Sequence, residues 1–257
     1  MTRTILQISD CHLVVPGAEL LGVDTQRSLE AVLDQALARG EPDLVLASGD
    51  IAHDPLPDVY ARFAATVRAQ TTAPLMCLPG NHDVLDAMKI AELPLAPVAV
   101  GDWQVVPLDS HEDDAPVALI TDTDREFVRA ALAHTTARHC LIATHHPMVT
   151  VNCPWLDRDR IQNGSELVEW LSECSAVDGT SRLRGVVFGH AHQIVEDRVA
   201  GVPVWGAPST CFQFLPESDK FSLDTRPPGY RWLRLADDGS IATEVERVRD
   251  FRISPAL

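Results

Sequence analysis

The sequence predicts a layered α/β fold for this chain of 257 residues. Three observations support that expectation. Short apolar runs alternate with stretches of helical periodicity as far as about Cys174. Most helical stretches open on a capping residue or on proline. Beyond residue 200 no long helix is evident, and short β-like runs follow instead. That change reads as a β-rich segment, 201–257, adding strands to a second sheet of one domain spanning 1–257, with no separate domain beginning there.

Taken in order, Ile5-Leu6-Gln7-Ile8 is the first strand. Asp24 caps a helix whose Leu29, Val32, Leu33, Ala36 and Leu37 fall at helical spacing, and Gly40 stops it. Leu44 to Ala47 is a second buried strand. Pro57 opens a helix with Tyr60, Phe63, Ala64 and Val67 on one face. Leu75 to Leu78 is a third strand, and Val105 to Leu108 a fourth. Thr123 and Glu126 have capping-box spacing before a helix through Phe127 and Leu132. Leu141 to Ala143 is a fifth strand. Asn163 and Glu166 repeat the cap logic before Leu167, Trp170, Leu171 and Cys174, and Val186 to Phe188 is a sixth strand. Pro203–Trp205, Thr210–Phe214, Tyr230–Leu235 and Ile241–Val248 are the later β-like runs, with 221–229 the most loop-like stretch.

Composition is that of an ordinary soluble protein, with 46% hydrophobic and 23% charged residues. The net charge of −16 and the presence of only two lysines, Lys89 and Lys220, argue against nucleic acid as a partner. A phosphorylated substrate would need cations other than side chains. The six cysteines form no C-x-x-C pair, which favours free thiols in a reducing compartment. No leader and no membrane-length apolar run is evident, so a cytoplasmic location and no membrane partner are expected.

The chemistry gathers where apolar strands end. Five of the runs are followed directly by candidate metal ligands: Asp10 and His12; Asp50; Asn81 and His82; His145; His190 and His192. Ligands in open α/β sheets collect at the carboxyl ends of strands. Taken singly, each of these is a turn, a cap or a satisfied histidine. Taken together, oxygen and imidazole donors without cysteine suit Mn, Fe, Zn or Co better than Mg or Ca. Their number exceeds what one ion uses. Two ions sharing a carboxylate, about 3.5–4 Å apart, serve phosphoryl chemistry.

The order D-x-H, G-D, G-N-H-D, H-H-x-P, G-H-x-H, from Asp10 to His192, resembles the calcineurin-like metallophosphoesterases. Ala207 to Phe214, Phe221 to Thr225, Pro228 to Arg231 and Cys153 to Asp157 look like the bacterial class III cyclic-nucleotide phosphodiesterases. The resemblance implies a four-layer α/β/β/α sandwich with the site at one edge of the paired sheets. It also implies two divalent transition ions, commonly Fe or Mn, with Zn or Co as other occupants. One would be held by Asp10, His12, Asp50 and His192, the other by Asp50, Asn81, His145 and His190, with Asp50 bridging. His82 would face the substrate phosphate instead of a metal.

The activity so implied is hydrolysis of 3′,5′-cyclic AMP to the 5′-monophosphate by hydroxide bridging the ions. His82 is expected to protonate the departing oxygen while Asp83 holds its ring. Substrate contacts are expected from His12, Asp50, Asn81, His82, His192 and Trp155. Trp155 has a second reading as a loop anchor. Phe212 and Phe214 read as a half-buried strand, and His53 as a solvated loop residue. His111, His134 and His139 read as surface residues, and His146 lines the site without being a ligand. The alternatives are a preference for 2′,3′-cyclic nucleotides or other small phosphodiesters, and a non-catalytic scaffold on the same fold. The partner is a small molecule, and the protein a monomer or homodimer.

Overall fold

In the computed structural model the protein is described over residues 2–112 and 117–252. The first half of the chain runs β1 (Arg3–Ile8), α1 (Thr25–Leu37), β2 (Leu44–Ser48), α2 (Pro57–Gln70), β3 (Leu75–Leu78) and α3 (Leu85–Ile90). It continues through β4 (Val98–Val100), β5 (Trp103–Pro107), α4 (Asp122–Ala133), β6 (His139–Ala143), α5 (Gly164–Cys174) and β7 (Leu183–Phe188). The remainder is β8 (Val195–Val199), β9 (Val202–Gly206), β10 (Gln213–Phe214), β11 (Leu223–Asp224), β12 (Gly229–Leu235) and β13 (Ile241–Arg247).

Two sheets result. One has the order β13-β12-β1-β2-β3, the other β4-β5-β6-β7-β9-β8, and β10 and β11 form a separate ribbon. Strands β1, β2 and β3 run parallel, as do β5, β6, β7 and β9. Because side chains alternate along a strand, each strand feeds two apolar layers. In β2, Leu44 and Leu46 join a layer with Met76, Leu78, Leu141 and Val187, strands of both sheets. Val45 and Ala47 instead meet Leu29, Val32, Tyr60 and Phe63 from α1 and α2. A third layer packs Cys140, Ile142 and Val186 against Val128 of α4 and Leu167 of α5. Three apolar layers between two sheets and two flanking layers of helices make the α/β/β/α sandwich.

Asp24 caps α1, its carboxylate accepting from Arg27 N at 3.0 Å. Three details differ from the sequence expectation. The capping box of α4 is Thr121 with Asp124, two residues ahead of Thr123 and Glu126, and Asp124 returns the bond to Thr121 N at 2.8 Å. Asn163 precedes α5 but its side chain makes no capping bond. The residues after 201 do not all go to the second sheet. Strand β9 lies there, whereas in the first sheet β12 pairs with the edge of β1 that β2 leaves open and β13 pairs with β12. Among the described residues no helix is long and apolar enough to cross a membrane.

The layering sets where truncation hurts. Leu46→Ala, in the fully buried layer between sheets, is expected to cost about 2–5 kcal/mol in denaturant unfolding. Ile90→Ala, at a side chain 70% exposed, is expected to change stability by no more than about 0.5 kcal/mol. Equal effects of the two would contradict the layer assignment.

Candidate metal centre and substrate cavity

Five of the seven donor residues expected from sequence sit in left-handed backbone conformations: Asp10 (φ 54), His12 (φ 46), Asp50 (φ 50), His190 (φ 61) and His192 (φ 50). Each such residue costs on the order of 1–3 kcal/mol and persists only when its surroundings over-determine it. Here the surroundings do so. Asp10 N donates to Gly49 O at 3.0 Å and His12 N to Asp50 O at 2.9 Å, which locks the turn after β1 to the turn after β2. His190 N donates to Asp10 Oδ1 at 3.0 Å and so ties the end of β7 to the other sheet. Gly49 (φ +98) is required twice over, because a Cβ there would also run into the His145 imidazole.

The strand ends bring the donor atoms together. Asp50 Oδ2 lies 3.7 Å from His12 Nε2 and 3.5 Å from His145 Nε2, between two halves of a cluster. In one half, His12 Nε2 and His192 Nε2 are 3.1 Å apart, and Asp10 Oδ1 is 3.4 Å from His192 Nε2. In the other, Asn81 Oδ1 lies 3.2 Å from His145 Nε2 and 2.9 Å from His190 Nδ1. Asp10, His12, Asp50, His145, His190 and His192 are all buried.

Protonation is constrained by the second contacts of the rings. His192 Nδ1 lies 2.8 Å from Phe212 O, and His145 Nδ1 lies 2.9 Å from Ser48 O. A carbonyl can only accept, so both Nδ1 atoms carry protons and each Nε2 is turned toward the cluster. Burial keeps the His12 and His190 imidazoles below their usual pKa, hence neutral. Burial works against ionised Asp50, yet the charge and hydrogen bond of His145 hold its carboxyl well below the usual range. His145 itself is pushed up to about 9: burial opposes the proton, and Asp50 more than compensates. Among the described residues Asp10 Oδ2 is buried with no hydrogen-bond partner.

The His192 Nε2 lone pair and the Asp50 carboxylate thus face into a buried cluster in which one Asp10 carboxylate oxygen is left over. Such an arrangement is unfavourable unless positive charge sits among the donors. Two carboxylates, an amide oxygen and four imidazoles, without thiolate, fit a borderline divalent ion. The residues present therefore fit the metal group expected from sequence.

The cluster forms one wall of a cavity of about 490 Å³. His12, Asp50, Asn81, His82, His190 and His192 line that wall, and Trp155, Phe212, Phe214 and Phe221 line the remainder together with leucines. Phe214 stacks on His192 with centroids 4.1 Å apart, and Trp155 stands edge-on to Phe214 at 4.9 Å. Phe212 stacks on His12 at 5.3 Å. The reading of Phe212 and Phe214 as strand residues with no part in a site is therefore corrected. They alternate about Gln213, which puts both rings on one face. His53 is an exposed loop residue, as expected, and also lines the cavity, its ring 5.2 Å from that of His82. His139 is buried at the start of β6 against Trp103, not on the surface. His146 is buried 4.8 Å from the His190 ring, its Nδ1 2.9 Å from Ser110 Oγ.

Asp83 does not hold the His82 ring. Its carboxylate accepts from Ile51 N, Ala52 N, Tyr60 Oη and Gly80 N at 2.8–3.1 Å, pointing into the protein. The turn bond from Asp83 N to Gly80 O directs the two neighbouring side chains apart. Burial, with the nearby charge of Asp50, pushes the Asp83 carboxyl up to about 7, and the N–H donors offset part of that shift. Asp83 thus fastens the turn carrying Asn81 and His82 to the loop after Asp50. His82 N donates to Asp50 Oδ1 at 2.9 Å, and its ring faces the cavity beside His12, centroids 5.0 Å apart.

The sequence pattern of the calcineurin-like phosphoesterases matches residues 3–194. The chain belongs to that family. Among relatives of this phosphoesterase, the 3′,5′-cyclic adenosine monophosphate phosphodiesterase CpdA of Pseudomonas aeruginosa is 38% identical over 253 residues. The match covers 96% of this chain and 90% of that protein. CpdA of Escherichia coli K12 is 37% identical over 259 residues, covering 98% and 92%. A purple acid phosphatase from yellow lupin seeds shares the phosphoesterase fold with a TM-score of 0.65 at 13% identity. The alignment spans 99% of this chain and 53% of the lupin enzyme, so the chain has about half its length.

A dication entering the cluster must expel the proton that His145 holds against Asp50. The sign follows directly: raising pH removes that competitor, so dication affinity rises with pH. Calorimetric titration with Mn²⁺ between about pH 6 and 8 is expected to show tightening affinity and proton release. A flat affinity without proton release would contradict the arrangement.

Proposed function

We propose that the protein is a dinuclear-metal phosphodiesterase that hydrolyses 3′,5′-cyclic AMP to the 5′-monophosphate. The observation that supports this reading best is the two-sided cavity. It has a buried nest of metal donors on one wall and aromatic rings on the other, in a chain 37–38% identical to named cyclic AMP phosphodiesterases. Its volume falls within the ~300–1,000 Å³ of small-molecule sites. A charged phosphate and a flat base are the two ends of one nucleotide. Six unpaired thiols suit a reducing, cytoplasmic setting.

In this reading Asp10, His12, Asp50 and His192 hold one divalent ion, and Asp50, Asn81, His145 and His190 hold the other. When bound, the ions supply the positive charge for the phosphate oxygens and acidify water. The chain's own residues do the rest. His82, whose ring lines the cavity, gives a proton to the departing ribose 3′ oxygen as the P–O3′ bond breaks. One water adds across that bond, its hydroxyl to phosphorus and a proton to O3′. Asp83 keeps Asn81 and His82 in place relative to Asp50 through its four accepted hydrogen bonds. The rings of Trp155, Phe212 and Phe214 exclude water and take the apolar face of the substrate.

His82→Ala is expected to lower kcat by about 10²–10⁴-fold while metal content stays near that of the wild type. Loss of metal with no separate rate defect would refute the role assigned to His82. A panel of 3′,5′-cyclic AMP, 2′,3′-cyclic AMP and bis(p-nitrophenyl) phosphate is expected to give the highest kcat/KM for the first. Preference for either of the others would move the substrate assignment to that class. No bound transition metal and no turnover after Mn²⁺ addition would point to the scaffold alternative.

A further inference from the structure

Two carboxylates line the cavity among the described residues, and they have opposite surroundings. Asp50 lies within the metal donors. Asp159 belongs to the aromatic end, on the short turn that follows Trp155 and Leu156. Asp159 N donates to Leu156 O at 3.0 Å, and its carbonyl accepts from Ala118 N at 3.3 Å, so the backbone is fixed. Among the described residues its carboxylate has no hydrogen-bond donor. Burial holds this carboxyl above its usual range, with Arg158 opposing the shift. A half-buried acceptor on the wall of an aromatic cavity is one that a ligand N–H can satisfy.

We infer that Asp159 reads the base, its carboxylate accepting a hydrogen bond from the 6-amino group of adenine. The inference rests on the cyclic-nucleotide reading above. The placement suits it. Phe214 stands between His192 and Trp155, so the phosphate lies toward the imidazoles and the base toward Trp155, Leu156 and Asp159. A base that presents only ring nitrogens or a carbonyl to Asp159 sets acceptor against acceptor. A base with an exocyclic amine there does not. Sites built to hydrogen-bond a substrate N–H reject analogues lacking it far more strongly than apolar pockets reject a change in size.

The test compares cyclic AMP with purine riboside 3′,5′-cyclic monophosphate, which lacks only the 6-amino group. The two kcat/KM values are taken on one preparation, so the folded fraction cancels in their ratio. The wild type is expected to favour cyclic AMP by about tenfold or more. Asp159→Leu is expected to bring the ratio near one. Asp159→Asn, which keeps a carbonyl acceptor, is expected to fall between and serves if the leucine variant does not fold. A wild-type ratio near one, or a wild-type-like ratio in both variants, overturns the assignment. If the wild type cleaves bis(p-nitrophenyl) phosphate but neither cyclic nucleotide, the cyclic-nucleotide reading falls and takes this one with it. If both cyclic nucleotides are cleaved equally, this inference alone falls.

Discussion

The structure turns on a crowd of buried side-chain nitrogen and oxygen atoms. His12 Nε2 and His192 Nε2 meet at 3.1 Å, two imidazole nitrogens close on Asn81 Oδ1, and Asp50 Oδ2 stands between the two groups. Backbone carbonyls fix the Nδ1 protons of His145 and His192, so the His192 Nε2 lone pair points inward and a second proton on His145 sits at Nε2, against Asp50. A fold that places acceptors this way without compensating charge would lose stability. The crowding supports the reading of this cluster as a cation cage.

The scaffold explains how the crowding is tolerated. The two sheets converge where β1, β2, β3, β6 and β7 end. The donors are mounted on turns whose left-handed residues are held by bonds from one turn to the next and from one sheet to the other. Deeper between the sheets, Gln7 Nε2 donates to both Ser48 Oγ and Phe188 O at 3.0 Å, a further polar tie just beneath the cluster. Strain at the site is offset by the apolar layers around it, a common division between functional turns and their supports.

Much of this was legible in the sequence because each donor follows a buried strand, and a short continuous apolar run bounded by turn residues marks such a strand without knowledge of the fold. The strand order and the convergence of the ends are not local properties, and there the family resemblance carried the expectation. What stayed hidden has physical reasons. Asp83 is next to His82 in sequence but points away, since a tight turn separates consecutive side chains. The aromatic wall is assembled from residues 155, 212, 214 and 221, and no window of sequence contains it. Strand β12 lies beside β1 although more than two hundred residues intervene, because β1 needs a partner on its open edge.

The proposed sharing of Asp50 by two cations is the claim on which the mechanism rests. Anomalous diffraction from crystals grown with Mn²⁺ addresses it most directly. Two peaks about 3.5–4 Å apart on either side of the Asp50 carboxylate are expected. A single peak, or peaks away from Asp50, would contradict it.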